Sequence, residues 1–253
     1  MISIKSKSEI IKMRDAAKLL VDVMYAMHDT IKPGISTYEL DKIGHDVIKK
    51  AGGDAPCLGY AQPPYPAATC ISIDEEVVHG IPRKDKILQS GQIISIDLVV
   101  GYNGWMADAA RSFGVGELDP EKQELVDTVK ACFYAGYEKA ILGNRVGDIG
   151  VAVQKVAEDK GYSVIREFVG HGIGTEMHED PQVPNYKTVR RGPRLEEGMT
   201  ICIEPMIAMG KADVYLEDDG WTAVMKDKKP SAHYENTIVI TANGPEILTE
   251  MKF

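Results

Sequence analysis

Apolar residues recur at helical spacing from near the start of the chain: Ile10, Met13, Ala17, Leu20, Met24, Met27 and Ile31 share one stripe. Ser6-Lys-Ser-Glu9 precedes the stripe as a capping box, in which hydroxyl and carboxylate satisfy free amide donors of the first turn. Pro33-Gly34 stops it. A second box, Ser36-Thr-Tyr-Glu39, opens a helix with Leu40, Ile43, Val47 and Ala51 on one face, closed by Gly52-Gly53. The period then changes to two. Thr69–Ile73 alternates, and Gln92–Val100 and Met106–Val115 flank Asn103-Gly104, a pair suited to a two-residue hairpin loop. After this the cycle repeats. Asp119-Pro120 starts a helix carrying Leu125, Val129, Cys132, Gly136 and Ala140, and Ile149, Val153, Val156 and Ala157 mark a fourth that ends at Lys160-Gly161. Strand patterns follow at Val164–Phe168, Thr200–Ile207 and, after a Gly220-Trp221 turn, Tyr234–Thr241. Two passes of helix, helix and strands predict one α+β domain over 1–253, built from related halves 1–117 and 118–253. Residue by residue the halves match weakly, with Pro33-Gly-Ile-Ser only loosely like Arg145-Val-Gly-Asp.

Acids interrupt the apolar strands. Asp97 lies within Ile93-Ile-Ser-Ile-Asp-Leu-Val-Val, where a carboxylate is unfavourable unless paired or bound to metal. If Asn103-Gly104 are the loop residues, Asp108 lies opposite Val99, a diagonal neighbour of Asp97 about 7–8 Å away at Cα. A turn shifted by one residue sets the two acids directly opposite. Either register puts both on one face, where a cation between them relieves their repulsion. The second half offers Glu204 in Thr200-Ile-Cys-Ile-Glu-Pro-Met, with Pro205 ending regular pairing, and Glu235 opening Glu-Asn-Thr-Ile-Val-Ile.

His171 stands in Gly170-His-Gly-Ile-Gly-Thr-Glu-Met-His178, too rich in glycine for the helical H-E-x-x-H zinc motif. Nor does a helix follow it, as a dinucleotide loop requires. One imidazole with four carboxylates makes a hard, oxygen-rich shell suited to Mn²⁺, Fe²⁺, Co²⁺ or Zn²⁺. Five ligands exceed the needs of one ion with open positions, which points to two ions and bridging carboxylates. Taken alone, His79 in Asp74-Glu-Glu-Val-Val-His-Gly-Ile-Pro82 reads as a surface or hydrogen-bonding residue. His28 and His45 read as structural, and so does His233, although it shares a strand face with Glu235.

Composition narrows the setting. With 29 Lys+Arg against 38 Asp+Glu the net charge is −9, and no long basic run offers itself to a nucleic-acid duplex. No apolar stretch approaches the roughly 18 residues of a membrane span, and the N-terminus lacks a signal-peptide core. Cys57, Cys70, Cys132 and Cys202 form no CxxC pair and read as free thiols, so a cytoplasmic, reducing location is expected.

Taken together, Cys70-Ile-Ser-Ile-Asp-Glu-Glu-Val-Val-His79-Gly-Ile-Pro, Ile96-Asp97, Ala107-Asp108, Phe168-Val-Gly-His171-Gly-Ile-Gly, Met177-His178-Glu, Ile203-Glu204-Pro-Met and Tyr234-Glu235-Asn-Thr resemble the bacterial type I methionine aminopeptidases. The resemblance runs over nearly the whole chain. It implies the pita-bread fold, two pseudo-symmetric halves around a dinuclear metal site, and a hydrolase that removes the initiator methionine before a small second residue. Carried over position by position, it implies Asp97, Asp108, His171, Glu204 and Glu235 as ligands of two divalent ions (Co, Fe, Mn or Zn), with Asp108 and Glu235 bridging. Glu204 is implied as the base that generates the attacking hydroxide, and His79 and His178 as the imidazoles that contact substrate.

Cys57, Tyr60, Tyr65, Cys70, Met177 and Trp221 align with the methionine pocket, and a monovalent cation is implied near Asp74 and Ser231. Implied partners are methionyl peptides and nascent chains with a transient ribosome contact, for a monomer that binds neither membrane nor nucleic acid stably. Asp74 stands where the family usually has Asn, Met177 where an aromatic is frequent, and Tyr60-Ala-Gln-Pro-Pro-Tyr65 is longer than usual. Two rivals remain at this point. X-Pro aminopeptidases share the metal set but usually carry a sizeable extra N-terminal domain. Inactive pita-bread proteins that bind RNA or ribosomes typically lose ligands.

Overall fold

A computed structural model describes residues 1–253. Three of its four helices start where the capping residues predict. Helix α1 (Lys7–His28) begins after Ser6, whose amide donates to Glu9 Oε2 at 2.7 Å, and α2 (Thr37–Lys50) after Ser36, whose hydroxyl accepts from the Glu39 amide at 3.2 Å. In the second half α3 (Pro120–Tyr137) is capped by Asp119, and α4 (Val146–Asp159) follows Arg145. Three helices stop short of the apolar pattern: α1 closes at Asp29, α2 at Ala51 itself and α3 at Glu138, which leaves Ile31 and Ala140 beyond the closing turns.

Fourteen strands complete the chain. In the first half are β1 (Cys70–Ile73), β2 (Glu76–Val78), β3 (Ile93–Tyr102) and β4 (Trp105–Gly114). After α4 come β5 (Ser163–Val164), β6 (Gly170–Gly172), β7 (Glu179–Val183), β8 (Thr200–Ile203) and β9 (Met206–Ala208). The last five are β10 (Val214–Leu216), β11 (Ala223–Met225), β12 (Ser231–His233), β13 (Asn236–Thr241) and β14 (Gly244–Ile247). One sheet has the order β1-β3-β4, and the largest is β14-β13-β8-β6-β7. Of two small sheets, β10-β11-β2 joins a strand of the first half to two of the second, and β12-β9-β5 is built from the second half alone.

Strand boundaries depart from the sequence pattern in three places. The Val164–Phe168 pattern yields only the two-residue β5, because the chain leaves the sheet and residues 167–169 run along a cavity. The Thr200–Ile207 pattern splits into β8 and β9 at Glu204-Pro205, as proline's missing donor demands. Glu235 falls outside β13, since its amide is already committed to the Ala110 carbonyl at 2.9 Å.

Each pair of helices covers its own apolar cluster. Leu20, Met24 and Leu40 pack on Ile71, Ile94 and Ile96 in the first half, and Phe133, Val129 and Ile149 on Ile201, Ile203 and Ile238 in the second. Truncating a fully buried ring such as Phe133 removes about 3–5 kcal/mol. The two halves also correspond in detail. Leu88 donates its amide to the Ile35 carbonyl at 2.9 Å, and Leu195 does the same to Asn144. Gly91 and Gly198 then turn at φ +84° and +87° just before β3 and β8 begin. Leu88, Gly91, Ile93 and Asp97 thus match Leu195, Gly198, Thr200 and Glu204 one for one. By the same correspondence Ser36 matches Arg145, both of them N-caps, so the looser pairing of Pro33–Ser36 with Arg145–Asp148 is out of step.

Candidate metal centre and active site

The β3–β4 hairpin has the first of the two registers its sequence allows. Asn103 and Gly104, at φ +51° and +78°, form the loop, so Val99 pairs with Asp108 and Asp97 with Ala110. Both acids therefore share a face as diagonal neighbours. From the other half, β8 delivers Glu204 at its broken end, and β6 delivers His171 between Gly170 and Gly172. Those glycines are steric requirements: a Cβ on Gly170 would strike the Cys202 carbonyl, and one on Gly172 the Asp180 carbonyl. His171 Nε2 ends 3.6 Å from Asp108 Oδ2 and 3.5 Å from Glu204 Oε1.

Side chains stitch the two halves together beside these ligands. Thr237 Oγ1 accepts from the Asp108 amide and donates to its carbonyl, both at 2.9 Å. Ser112 Oγ repeats the pattern on His233, at 2.9 and 3.0 Å. Arg111, buried under the Tyr234 ring, donates to the carbonyls of Ala110 and Glu235 and to Asn236 Oδ1. Buried Asn185 donates to the Glu204 carbonyl at 2.9 Å. Hydroxyl, guanidinium and amide thus hold the backbone where a regular ladder is interrupted, which fixes Asp108, Glu235 and Glu204 relative to one another.

Electrostatics shows what the cluster lacks. Burial pushes the Asp97 carboxyl up to about 7. Burial and neighbouring acids push Asp108, Glu204 and Glu235 well above the ordinary carboxylate range. Asp108 Oδ1 and Glu235 Oε1 are buried with no hydrogen-bond partner. Orphaned acceptors on mutually repelling acids fit a site for divalent cations. His171 completes the donor set: Nδ1 donates to the Gly172 carbonyl at 2.9 Å, leaving the Nε2 lone pair for a metal. Burial holds its ring neutral, with the pKa down to about 4.

All thirteen residues singled out as ligands, imidazoles or pocket line one cavity of about 690 Å³. His79, at φ +59°, stands edge-on to Phe168 and Trp221, and burial lowers its pKa to about 4. His178 packs its ring edge against His171 with centroids 4.5 Å apart, and burial lowers its pKa as well. Cys57, Tyr65, Cys70, Val99 and Met177 form a buried apolar cluster with Trp221 against it, and Tyr65 donates its hydroxyl to the Gly80 carbonyl at 2.9 Å.

Several neighbours escaped the sequence reading. Cys202 groups with Asp108, His171 and Glu235, a position legible from the two-residue alternation that sets it on the face of Glu204. Burial and the surrounding acids push its thiol well up, so it stays protonated beside Thr237 Oγ1 at 3.6 Å. His233, read from sequence as structural, reaches to 3.9 Å from Glu235 Oε2 with both ring nitrogens unpartnered. Asp74 and Ser231 do meet, Ser231 Oγ lying 3.2 Å from the Asp74 carbonyl and 3.3 Å from that of Glu76. A local cation is already present, because Lys122 reaches from α3 to Asp74 Oδ1 at 2.7 Å and the Gly91 carbonyl at 2.8 Å.

Comparison with known proteins agrees with this geometry. The profile of metallopeptidase family M24 matches residues 11–242. The chain is 46% identical over 249 residues to the methionine aminopeptidase of Clostridium acetobutylicum, covering 98% of this chain and 99% of that one. It is 42% identical over 252 residues to that of Escherichia coli K12, covering 99% and 95%. Among solved structures, the methionine aminopeptidase of Thermotoga maritima superposes with a TM-score of 0.96 at 41% identity, covering 99% of this chain and 100% of that one. A prolidase from Pyrococcus furiosus, with a TM-score of 0.80 at 25% identity, is covered over only 66% of its length, against 99% of this chain. The arrangement of helices and strands is the pita-bread fold of these proteins, and the chain belongs to metallopeptidase family M24.

Proposed function

We propose the following division of labour for the site. The enzyme is a metal-dependent aminopeptidase that removes N-terminal methionine. The observation that carries the mechanism is the convergence of Asp97, Asp108, His171, Glu204 and Glu235 on one cavity shared with His79 and His178. Those five residues would hold two divalent ions drawn from Co, Fe, Mn or Zn, with Asp108 and Glu235 shared between them. When bound, the ions supply the Lewis acidity that makes water nucleophilic near neutral pH and polarises the first peptide carbonyl.

Glu204 takes the proton of the attacking water and carries it to the leaving amine. His178 donates to the carbonyl oxygen as it gains charge, and His79 assists at the scissile nitrogen. The methionine thioether enters among Cys57, Tyr60, Tyr65, Cys70, Met177 and Trp221, and flexible Met177 adapts to it. A small second residue is preferred, as the family resemblance implies.

One catalytic domain of halves 1–117 and 118–253 serves this reaction. The carbonyls of Asp74 and Glu76 near Ser231 would take a monovalent cation. The substrates are methionyl peptides and nascent chains, met in the cytoplasm by a monomer through a transient ribosome contact. No helix is long and apolar enough to cross a membrane, and the acidic balance disfavours stable nucleic-acid binding.

The test supplies metal-stripped enzyme separately with Mn²⁺, Fe²⁺, Co²⁺ or Zn²⁺ and follows free methionine. Release from Met-Gly, with none from acetyl-Met-Gly and no cleavage of Ala-Pro, is the expected result. Cleavage of Ala-Pro, or silence with every metal, overturns the reading.

A further inference from the structure

Two imidazoles face each other in the cavity, yet their Nδ1 atoms have opposite kinds of partner. His171 Nδ1 meets the Gly172 carbonyl, which can only accept, so this ring must carry its proton on Nδ1. His178 Nδ1 lies 3.0 Å from the hydroxyl of Tyr60, which can donate. We infer that Tyr60 is a positioning residue for His178: its hydroxyl donates to Nδ1 and so keeps the imidazole proton on Nε2. The inference rests on the proposed role of His178 at the carbonyl oxygen, because only a nitrogen bearing a proton can donate there.

Three observations support it. First, a phenol O–H is a stronger donor than a neutral imidazole N–H, and imidazole nitrogen is a better acceptor than phenol oxygen. O–H···N is therefore the favoured sense of this bond.

Second, Tyr60 is 42% exposed, so its placement is not explained by core burial. Its ring meets that of His178 edge to face with centroids 5.6 Å apart, which aims the hydroxyl at Nδ1 rather than into solvent.

Third, the loop holding Tyr60 is braced. Tyr60 donates its amide to the Cys57 carbonyl at 3.1 Å and accepts from the Tyr65 amide at 2.9 Å. Gly59 donates to the Tyr65 carbonyl at 2.8 Å. At the tip, Pro63 accepts from the indole of Trp221 at 3.1 Å. The segment from Cys57 to Tyr65, which looks extended in the sequence, thus straps the first half to the second at Trp221 and at His178. Its residues line the pocket, and through one hydroxyl it also sets which nitrogen of a catalytic imidazole carries the proton. The two neighbouring rings are thereby sorted into a lone-pair ligand and a proton donor by their partners alone.

Tyr60→Phe keeps the ring and removes the hydroxyl, and half-exposure makes it safe for folding. With zinc-loaded protein carrying ¹⁵N-labelled histidine, the wild type should show His178 with a protonated Nε2 and an unprotonated Nδ1, and Tyr60→Phe should show a mixture of tautomers. The variant should lose about tenfold in kcat, at the low end of proton-transfer contributions, with KM and calorimetric metal affinity unchanged within twofold. A wild-type signal with the proton on Nδ1 overturns the inference, as do unchanged shifts and kcat in Tyr60→Phe. His178→Ala separates the layers. If it is inactive while Tyr60→Phe is normal, only the Tyr60 inference fails; if His178→Ala is fully active, the proposed role of His178 fails whatever the tautomer.

Discussion

The two halves place a pair of acids each by different means. In the first, Asp97 and Asp108 ride on a single hairpin whose ten paired positions run unbroken from Ile93 to Gly114. In the second, Glu204 stands where Pro205 breaks β8 from β9, and Glu235 lies between β12 and β13. The first pair takes its geometry from a local ladder. The second takes it from contacts across the halves, through Thr237, Ser112 and Arg111, and from Asn185 within its own half. A regular ladder spaces two ligands well but leaves both strands committed. A broken strand frees the carboxylate at its end to approach a substrate, provided other groups hold the backbone.

The largest effect should therefore come from the chemistry at the broken end. Glu204→Gln keeps shape and an acceptor oxygen but cannot take a proton, so kcat should fall by roughly a thousandfold or more. Calorimetry should still find two bound ions. Near-normal turnover would sink the assignment of the base. Asp97→Asn, on the intact ladder, should act through metal binding instead.

Metal removal should expose the repulsion that both halves share. Burial raises Asp97 in the folded chain to about 7, against 3.8 for the ordinary group, and its three companions are raised well above the ordinary range too. A raised carboxyl binds protons more tightly folded than unfolded. Metal-free protein should thus be most stable below about pH 4 with respect to these groups and lose stability as pH rises towards and past 7. The loss should be on the order of a few kcal/mol, read as a falling Tm. With divalent ions added, the high-pH loss should disappear. An unchanged Tm of the stripped protein between pH 5 and 8 would show that the acids are not charged against one another.

Much of this contrast is legible in the chain, and unevenly. The first pair is written in short-range terms: Asn103-Gly104 fixes a turn, the turn fixes a register, and the register fixes a shared face. Glu204 is legible too, since an acid followed by proline cannot continue a strand. Glu235 is different. It reads as the first residue of a strand, but Arg111, Ser112 and the Asp108 backbone that Thr237 grips sit far away in sequence, and no period reveals that these contacts hold it outside. Alternation puts His233 on its face, but it does not reveal that both ring nitrogens are left without a partner there. The correspondence of the halves was readable at Leu88-x-x-Gly91 and Leu195-x-x-Gly198, whereas the helix caps obscured it, since Ser36 and Arg145 share a position and no chemistry. The pocket loop follows no period at all, and its residues are placed only by family resemblance.

The comparison sharpens further in two paired substitutions. Thr237→Val removes both hydrogen bonds to the Asp108 backbone and leaves an isosteric methyl. Metal affinity should fall about tenfold, as for other groups that orient ligands from behind, and Thr237→Ser should restore it. Gly104→Ala burdens the hairpin instead, where φ is +78° but nothing lies within 4 Å of the added carbon. It should cost about 1 kcal/mol of stability with metal affinity unchanged, because the ladder beyond the loop still sets the spacing of Asp97 and Asp108. Equal losses of affinity in both variants would erase the distinction between ladder and stitching.

The smallest effect tests whether the halves also differ far from the metals. At Ser36 the hydroxyl accepts from the Glu39 amide and the Glu39 carboxylate accepts in return, so two donors of the first turn are satisfied. At Arg145 only the return bond exists, from its amide to Asp148 Oδ2 at 2.8 Å. The start of α4 is held by packing instead: Gly150 sits against the carbonyls of Pro184 and Tyr186, and the Gly147 amide donates to the Arg191 carbonyl at 2.8 Å. Ser36→Ala should therefore cost about 1 kcal/mol, near 2–4 °C in Tm for a chain of this size. Arg145→Ala should cost less, since the cap loses no accepting side chain there. A larger loss at Arg145 than at Ser36 would mean that the long-range contacts of the second half reach through the cap itself, and that its helix, like its ligands, depends on the strands it packs against.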